Sequence, residues 1–237
     1  MMEKTAGGRV GEICRIDGKD AFATFGADLA EYTLSLGKVG EEHQRASGSA
    51  DFIHYGADSD LRQMKLRFVV GGESDDEAEQ RMSNLMKACR RCEVTHESSE
   101  MTFDGFLTDC SRGETGIEHF FYLEITLAGT LRGAEQVVYL SDSGSYENGG
   151  NVASGCVVSI LPTEDLAELS VAGITLHNLK AGERFVIDGV KKEITCEGKN
   201  RFLDTNLTAF PAAMPGENRV ELSTPVPVEI AFRPTYL

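Results

Sequence analysis

The chain contains no tryptophan, and its aromatic residues make up only 8% of 237 positions. Carbohydrate sites commonly stack sugar rings on rigid aromatic faces, so this shortage counts against a sugar-binding reading. Positive charge is scarce too: 23 Lys and Arg stand against 38 Asp and Glu, a formal charge of −15. That balance excludes ordinary nucleic-acid binding through a basic surface. No apolar run approaches the ~18 residues of a membrane span, and we expect a soluble protein without membrane insertion. Residues 1–10 carry charges and glycines where a secretory signal would carry an apolar core, so the expectation is a protein made and first kept in the cytoplasm. Catalytic signatures are missing as well: the chain has no G-x-S-x-G, no H-E-x-x-H, no P-loop lysine and no G-x-G-x-x-G.

What remains is an ordinary globular composition, 41% hydrophobic and 26% charged, with length enough for two small domains. Six cysteines, Cys14, Cys89, Cys92, Cys110, Cys156 and Cys196, are scattered through the chain. In a protein of this size they fit reduced, partly buried thiols better than a disulfide framework.

One helix announces itself. Ser74 followed by Glu77 makes a capping box, and Asp75, Asp76, Glu77 and Glu79 crowd the positive end of the helix dipole. Ala78, Met82, Leu85, Met86 and Cys89 recur on one face, and Lys87, Arg90 and Arg91 favour the opposite end, which predicts a helix ending near Cys92. Most other segments read as strand. Phe121, Leu123, Ile125 and Leu127 alternate with Tyr122, Glu124, Thr126 and Ala128, the period of a sheet with one face on a core. Residues 66–70 and 101–107 look similar, and the helix between them would close the sheet by packing across its face or end.

Residues 141–155 are poor in large apolar side chains and rich in Gly, Ser and Asn, and predict a linker or long loop there or just before. Short strands follow at 157–161, 174–176, 184–187, 192–196, 220–223 and 228–232, the spacing of a sandwich. Asp188-Gly189 carries the signal of a two-residue type I′ hairpin, and Pro215-Gly216-Glu217-Asn218 marks another turn.

Cys89-x-x-Cys92 with His96 following is the one metal-like or redox-like spacing, with Cys110 as the nearest fourth ligand. No second C-x-x-C pair is present, and Cys89 lies on the apolar face of the helix, where a cysteine acts as a small hydrophobe, so packing is the favoured reading. His43, His54, His119 and His177 sit in unrelated contexts. Gly48-Ser49 and Gly144-Ser145 belong to flexible loops, and Gly71-Gly72, Gly149-Gly150 and Gly182 lack the setting of a phosphate cradle. Asn206-Leu207-Thr208 spells a glycosylation sequon that means nothing without a secretory route. Tyr139, Tyr146 and Tyr236, the tyrosines of the second half, are read as packing at edges and loops. No residue is assigned to catalysis, to a cofactor or to a metal.

The segments Ile174-Thr175-Leu176, Gly182-Glu183-Arg184-Phe185-Val186-Ile187-Asp188-Gly189, Phe210-Pro211 and Pro215-Gly216-Glu217-Asn218 stand ahead of a terminal run from Val228 to Leu237. In this order they resemble the distal tail protein (Dit) family of long-tailed phages of Gram-positive bacteria. Asp17-Gly18-Lys19-Asp20, a loop around His54-Tyr55-Gly56, the strand at 66–70 and the single helix resemble that family's N-terminal part.

The resemblance implies a mainly β protein. An N-terminal β-sandwich (belt) domain with one α-helix, residues 1–137, would close six copies into a ring. A C-terminal galectin-like β-sandwich, residues 138–237, would project outward. It further implies a non-enzymatic hub between tail tube and tail tip, with an open channel for DNA, located in the virion tail. Its partners would be copies of itself in a hexamer, the tail tube protein, the tape-measure protein, the tail-tip or tail-associated protein and a receptor-binding protein.

The charge distribution fits that role. Residues 1–137 carry 15 Lys and Arg against 25 Asp and Glu, residues 138–237 carry 8 against 13, and a ring through which DNA slides should not attract phosphate. The alternative is a binding module whose second domain recognises cell-wall carbohydrate or a receptor-binding protein. A metal-dependent or redox enzyme would rest on Cys89 and Cys92 alone.

Overall fold

Alternating burial along extended segments dictates most of the architecture. A computed structural model describes residues 13–37, 39–45, 52–59 and 61–237, with backbone alone for residues 39–45 and 52–59. The charged N-terminal residues 1–10 and the Gly48-Ser49 loop lie outside the described residues, as do the side chains of His43 and His54. The chain divides into two compact units, Met1–Arg132 with Leu237, and Gly133–Tyr236.

The first unit is built on an antiparallel sheet. Its strands are β1 (Cys14–Ile16), β2 (Lys19–Asp20), β3 (Ala27–Ser35), β6 (Arg62–Gly71), β7 (Arg91–His96), β8 (Thr102–Glu114) and β9 (Phe120–Arg132), in the order β2-β1-β7-β8-β9-β6-β3. Two further strands, β4 (Val39–Arg45) and β5 (Phe52–Ser59), pair with each other as a separate hairpin. The segment expected as a loop around His54-Tyr55-Gly56 is therefore strand. In β9, Phe121, Leu123, Ile125 and Leu127 are buried as their alternation predicts, and Phe68, Phe103 and Val94 join them in one core. The longest strands cannot stay flat, and the β8–β9 register shifts between Leu107 and Asp109, a bulge that bends the ribbon.

Helix α2 (Asp75–Ala88) lays Ala78, Met82 and Leu85 on that core. Ser74 caps it, its Oγ accepting from the Glu77 N–H at 3.2 Å. The Glu77 carboxylate reaches back to the Glu73 N–H at 2.7 Å, one residue before the position a capping box would use. The helix ends at Ala88, earlier than expected, because Cys89 forms its C-cap and Arg91 already opens β7. From there Cys92, Val94 and His96 are buried at period two instead of helical spacing. A second helix, α1 (Ala21–Phe25), departs from the single helix expected. Five residues are too few to show a period, but both caps are present: Asp20 accepts from the Ala23 N–H at 2.8 Å, and Gly26 closes the turn at φ 62°.

The second unit has its own core, with Ile160, Leu169, Leu176, Phe185, Ile187 and Ile194 almost fully buried. Its strands are β10 (Gln136–Leu140), β11 (Gly144–Asn148), β12 (Ser154–Ile160), β13 (Leu166–Val171), β14 (Ile174–Leu179), β15 (Phe185–Asp188), β16 (Glu193–Cys196), β17 (Lys199–Asn200), β18 (Ala212–Ala213), β19 (Gly216–Val220) and β20 (Val228–Phe232). The main sheet runs β10-β20-β12-β15-β16-β17, and β11-β19 and β13-β14 form two-stranded sheets. All pairings are antiparallel.

The Gly-, Ser- and Asn-rich stretch expected as linker contains β11. Its two inward side chains anchor it: Asn148 is buried, donating to the Ala213 carbonyl at 2.9 Å and accepting from the Gly150 N–H at 3.0 Å, and the Tyr146 ring packs at 5.1 Å from that of Phe232. The β15–β16 hairpin forms where expected but not as a two-residue turn. Asp188 accepts from the Val190 and Lys191 N–H groups, and Lys192 takes the positive φ of 63°. Gly189 serves another need, since a Cβ there would sit 2.1 Å from the Pro211 carbonyl oxygen. The expected strand at 220–223 is displaced upstream to β19, with Gly216 turning at φ 81° after Pro215.

Candidate functional site

The cysteines come first, because their spacing raised the chemical alternative. Cys14, Cys89 and Cys92 are buried in the first core, and the Cys92 thiol donates to the Cys89 carbonyl at 3.9 Å. Burial, with Cys92 and Asp20 nearby, pushes the Cys14 thiol up to about 12. The shared hydrogen bond with Cys92, then burial, raises Cys89 as well. Burial in apolar surroundings makes Cys14 and Cys89 poor nucleophiles. Cys110 does not join them. It stands five residues along β8 from Gly105, the partner of Cys92, which is roughly 17 Å of strand.

His96 lies on the buried face of β7, its Nδ1 2.8 Å from the Ser98 Oγ and its ring 4.4 Å from that of Tyr32. His119 belongs to a different arrangement, in which the β8–β9 turn bends over the start of α2 and its Nδ1 meets Asp75 at 2.8 Å. That hydrogen bond raises the His119 pKa. His177 sits on β14, in the other unit, beside Glu168. Among the described residues no group of three or more His, Cys, Asp or Glu side chains is placed to hold a metal ion. Among the described residues no helix is long and apolar enough to cross a membrane.

With bond-making residues dispersed, the surfaces are what the fold organises. One is the outer face of the first sheet. Register places Glu31, Arg67, Glu124 and Ser111 in one row across β3, β6, β9 and β8, and Thr33, Lys65, Thr126 and Asp109 in the next. Arg67 bridges to Glu124 at 3.5 Å and covers the Tyr122 ring at 4.0 Å. Both rows hold charges of either sign: Glu31 and Glu124 with Arg67 in the first, Asp109 with Lys65 in the second.

A second surface lies on the outer face of the main sheet in the second unit. Tyr139 on β10, Glu229 on β20 and Ser159 on β12 are cross-strand neighbours there. With Arg184 and Leu161 they line an open cleft of about 420 Å³. The expectation that the second-half tyrosines pack holds for Tyr146 but not for Tyr139, which is 73% exposed. Residues 137–140 form a continuous apolar run, Val-Val-Tyr-Leu, so the sequence of this edge strand does not show which face looks to water.

No family model matches the chain, and no curated protein matches it in sequence. Solved structures do match. The Dit protein (gp 19.1) of phage SPP1, described as a paradigm of the hub adsorption apparatus in phages infecting Gram-positive bacteria, aligns with a TM-score of 0.74 at 12% identity, covering 95% of this chain and 99% of its own. A chain of the phage p2 baseplate in its activated conformation with strontium aligns at 0.56 and 11% identity, over 85% and 89% of the two chains. The calcium form of that baseplate aligns at 0.54 and 10% identity, over 85% and 90%. At such identities the likeness is one of fold, and it agrees with the resemblance carried by the short sequence segments.

Proposed function

We propose, from the fold this chain shares with the Dit protein and the baseplate chains, that it is a structural component of the tail tip of a long-tailed phage or prophage. In this reading it has no catalytic activity and works as a hub located in the virion tail. Six copies close into a ring through the first unit, leaving a channel for DNA, and the second unit is a galectin-like sandwich that projects outward. The tail tube protein and the tape-measure protein lie on one side of the ring, the tail-tip protein on the other, and a receptor-binding protein can attach at the periphery.

The single observation that carries this reading is a fold likeness that spans nearly all of this chain and of the phage SPP1 protein. Two physical features support it. Among the described residues the first sheet ends in the edge strands β2 on one side and β3 on the other, and an open edge is a liability that a neighbouring subunit can cover. The acidic excess in residues 1–137 suits a lumen that must let phosphate pass without counterion release onto lysines.

The test is the native mass and negative-stain image of the purified full-length chain over a range of concentrations. A ring of six times the chain mass is the expected result. A monomer at every concentration, or a closed assembly without a central opening, would overturn the ring.

A further inference from the structure

Four strands stand at the outer ends of the two larger sheets, and among the described residues three of them carry a feature that limits unselective pairing. Strand β2 has only two residues, both charged, and β17 has two with Lys199 first. Strand β3 carries Asp28 and Glu31 and breaks its register between Leu29 and Glu31. Strand β10 has none of these features. Its five residues hold no charge and no proline, and its register with β20 is unbroken from Gln136 opposite Phe232 to Leu140 opposite Val228. Among the described residues β20 is its one strand partner, so the other side of its backbone is open to pairing. Its side chains are incompletely covered too. Val138 and Leu140 pack on the second core yet stay half-buried, and Val137 and Tyr139 on the opposite face are 41% and 73% exposed.

We infer that β10 pairs antiparallel with β10 of a second copy of this chain, about a two-fold axis through Val138. An identical strand fits this edge because a register centred on Val138 answers its exposed apolar residues with apolar ones. Val137 stands opposite the partner subunit's Tyr139, and Tyr139 opposite the partner subunit's Val137, so a β-branched residue meets an aromatic one on each side of the axis. On the core side Val138 meets its own copy, and Leu140 meets the uncharged Gln136. Charge fixes the direction. In this register Glu135 falls opposite Ser141 and Asp142 opposite Ala134, so no two carboxylates oppose each other. A parallel pairing in register would set Glu135 against Glu135 and Asp142 against Asp142, which is unfavourable. The contact uses the same patch on both copies and closes at two, so it does not propagate into a fibre. Five residues from each strand bury a modest area, and one such pair is expected to dissociate with a Kd on the order of 100 µM. The pairing does not rest on the hub reading, since it uses an edge of the second unit and the ring is assigned to the first.

The experiment is cysteine cross-linking of the full-length chain at about 100 µM, with copper phenanthroline as oxidant and the parent chain, which already holds six cysteines, as the blank. Val138→Cys puts a thiol on the axis, where opposed Cα atoms lie roughly 4.5–5.5 Å apart and a disulfide can close. Gln136→Cys puts one roughly 14 Å along the strands from its counterpart, beyond disulfide reach. Val138→Cys is expected to give about ten times the covalent dimer of Gln136→Cys. Adding Tyr139→Asp, at an exposed position, is expected to cut that yield about fivefold, because it sets a carboxylate against Val137. A second measurement needs no substitution: amide hydrogen exchange within β10 of the parent chain is expected to slow about threefold between roughly 1 and 300 µM. Dimer no greater than the blank, equal yields from Val138→Cys and Gln136→Cys, a yield that Tyr139→Asp leaves unchanged, or β10 exchange that does not slow with concentration would each overturn the pairing. A ring that pairs in this way doubles in mass at high concentration and keeps its opening, whereas a chain that pairs without a ring stops at two copies, so the two readings fail separately.

Discussion

At the scale of single residues, one tight constraint lies where β8 and β9 pair without side chains. Gly105 and Gly129 face each other in register, and the Phe103 ring lies over Gly105. A Cβ on Gly129 would sit 2.1 Å from the Asp104 carbonyl oxygen, so the strands must move apart to admit it. Gly129→Ala is expected to destabilise the first unit by about 1–3 kcal/mol, read as a lower denaturation midpoint. An unchanged midpoint would mean that the strands relax freely. Sequence alone gives no hint of this pairing, because the glycine's partner sits 24 positions away and only register reveals it. The cysteines were legible for the opposite reason. Cys89 falls on an apolar stripe whose period is visible locally, and it is buried in the core with that stripe.

At the scale of elements, α2 was readable because everything that makes it is contiguous: a cap, an acidic first turn and an apolar stripe. Strand β11 was not, because its anchors are Tyr146 and Asn148, and the groups that receive them, Phe232 and the Ala213 carbonyl, come much later in the chain. The same distinction applies to the contact between α2 and the β8–β9 turn. His119 meets Asp75 in the first turn of the helix, and Arg112 pairs with Glu79 while covering the Phe121 ring at 3.9 Å. The hydrogen bond to Asp75 raises the His119 pKa above its ordinary 6.5, so the folded state prefers the protonated ring. Its stabilising contribution is therefore fully present below about pH 6.5 and is lost as pH rises through the raised value. In denaturation midpoints measured across pH 5 to 9, Asp75→Asn is expected to remove that part of the pH dependence and to change least at the alkaline end. A pH profile identical to that of the parent chain would show that the contact does not persist in solution.

At the scale of the whole molecule, the chain divides between Arg132 and Gly133, just before the Gly-, Ser- and Asn-rich stretch at or ahead of which a linker was expected, and that stretch itself holds a strand. Composition located a change of texture but could not tell a polar strand from a loop. The sign of the charge was legible, and it has a direct consequence for a protein proposed to surround DNA. At about 0.15 M salt the full-length chain is expected not to retard duplex DNA in a gel, since it offers too few cations to release condensed counterions. A retarded band that vanishes with added salt would contradict the inference about the lumen.

The alternating charges on the outer face of the first sheet carry one more implication. Because Arg67 and Lys65 stand among Glu31, Glu124 and Asp109, no greasy neighbour can dock there without stranding ions away from water. Whatever covers this face must either leave it hydrated or answer it charge for charge. Contacts of that kind come apart in brine and re-form on dilution, which is the behaviour of a joint that can be assembled late and corrected when misplaced.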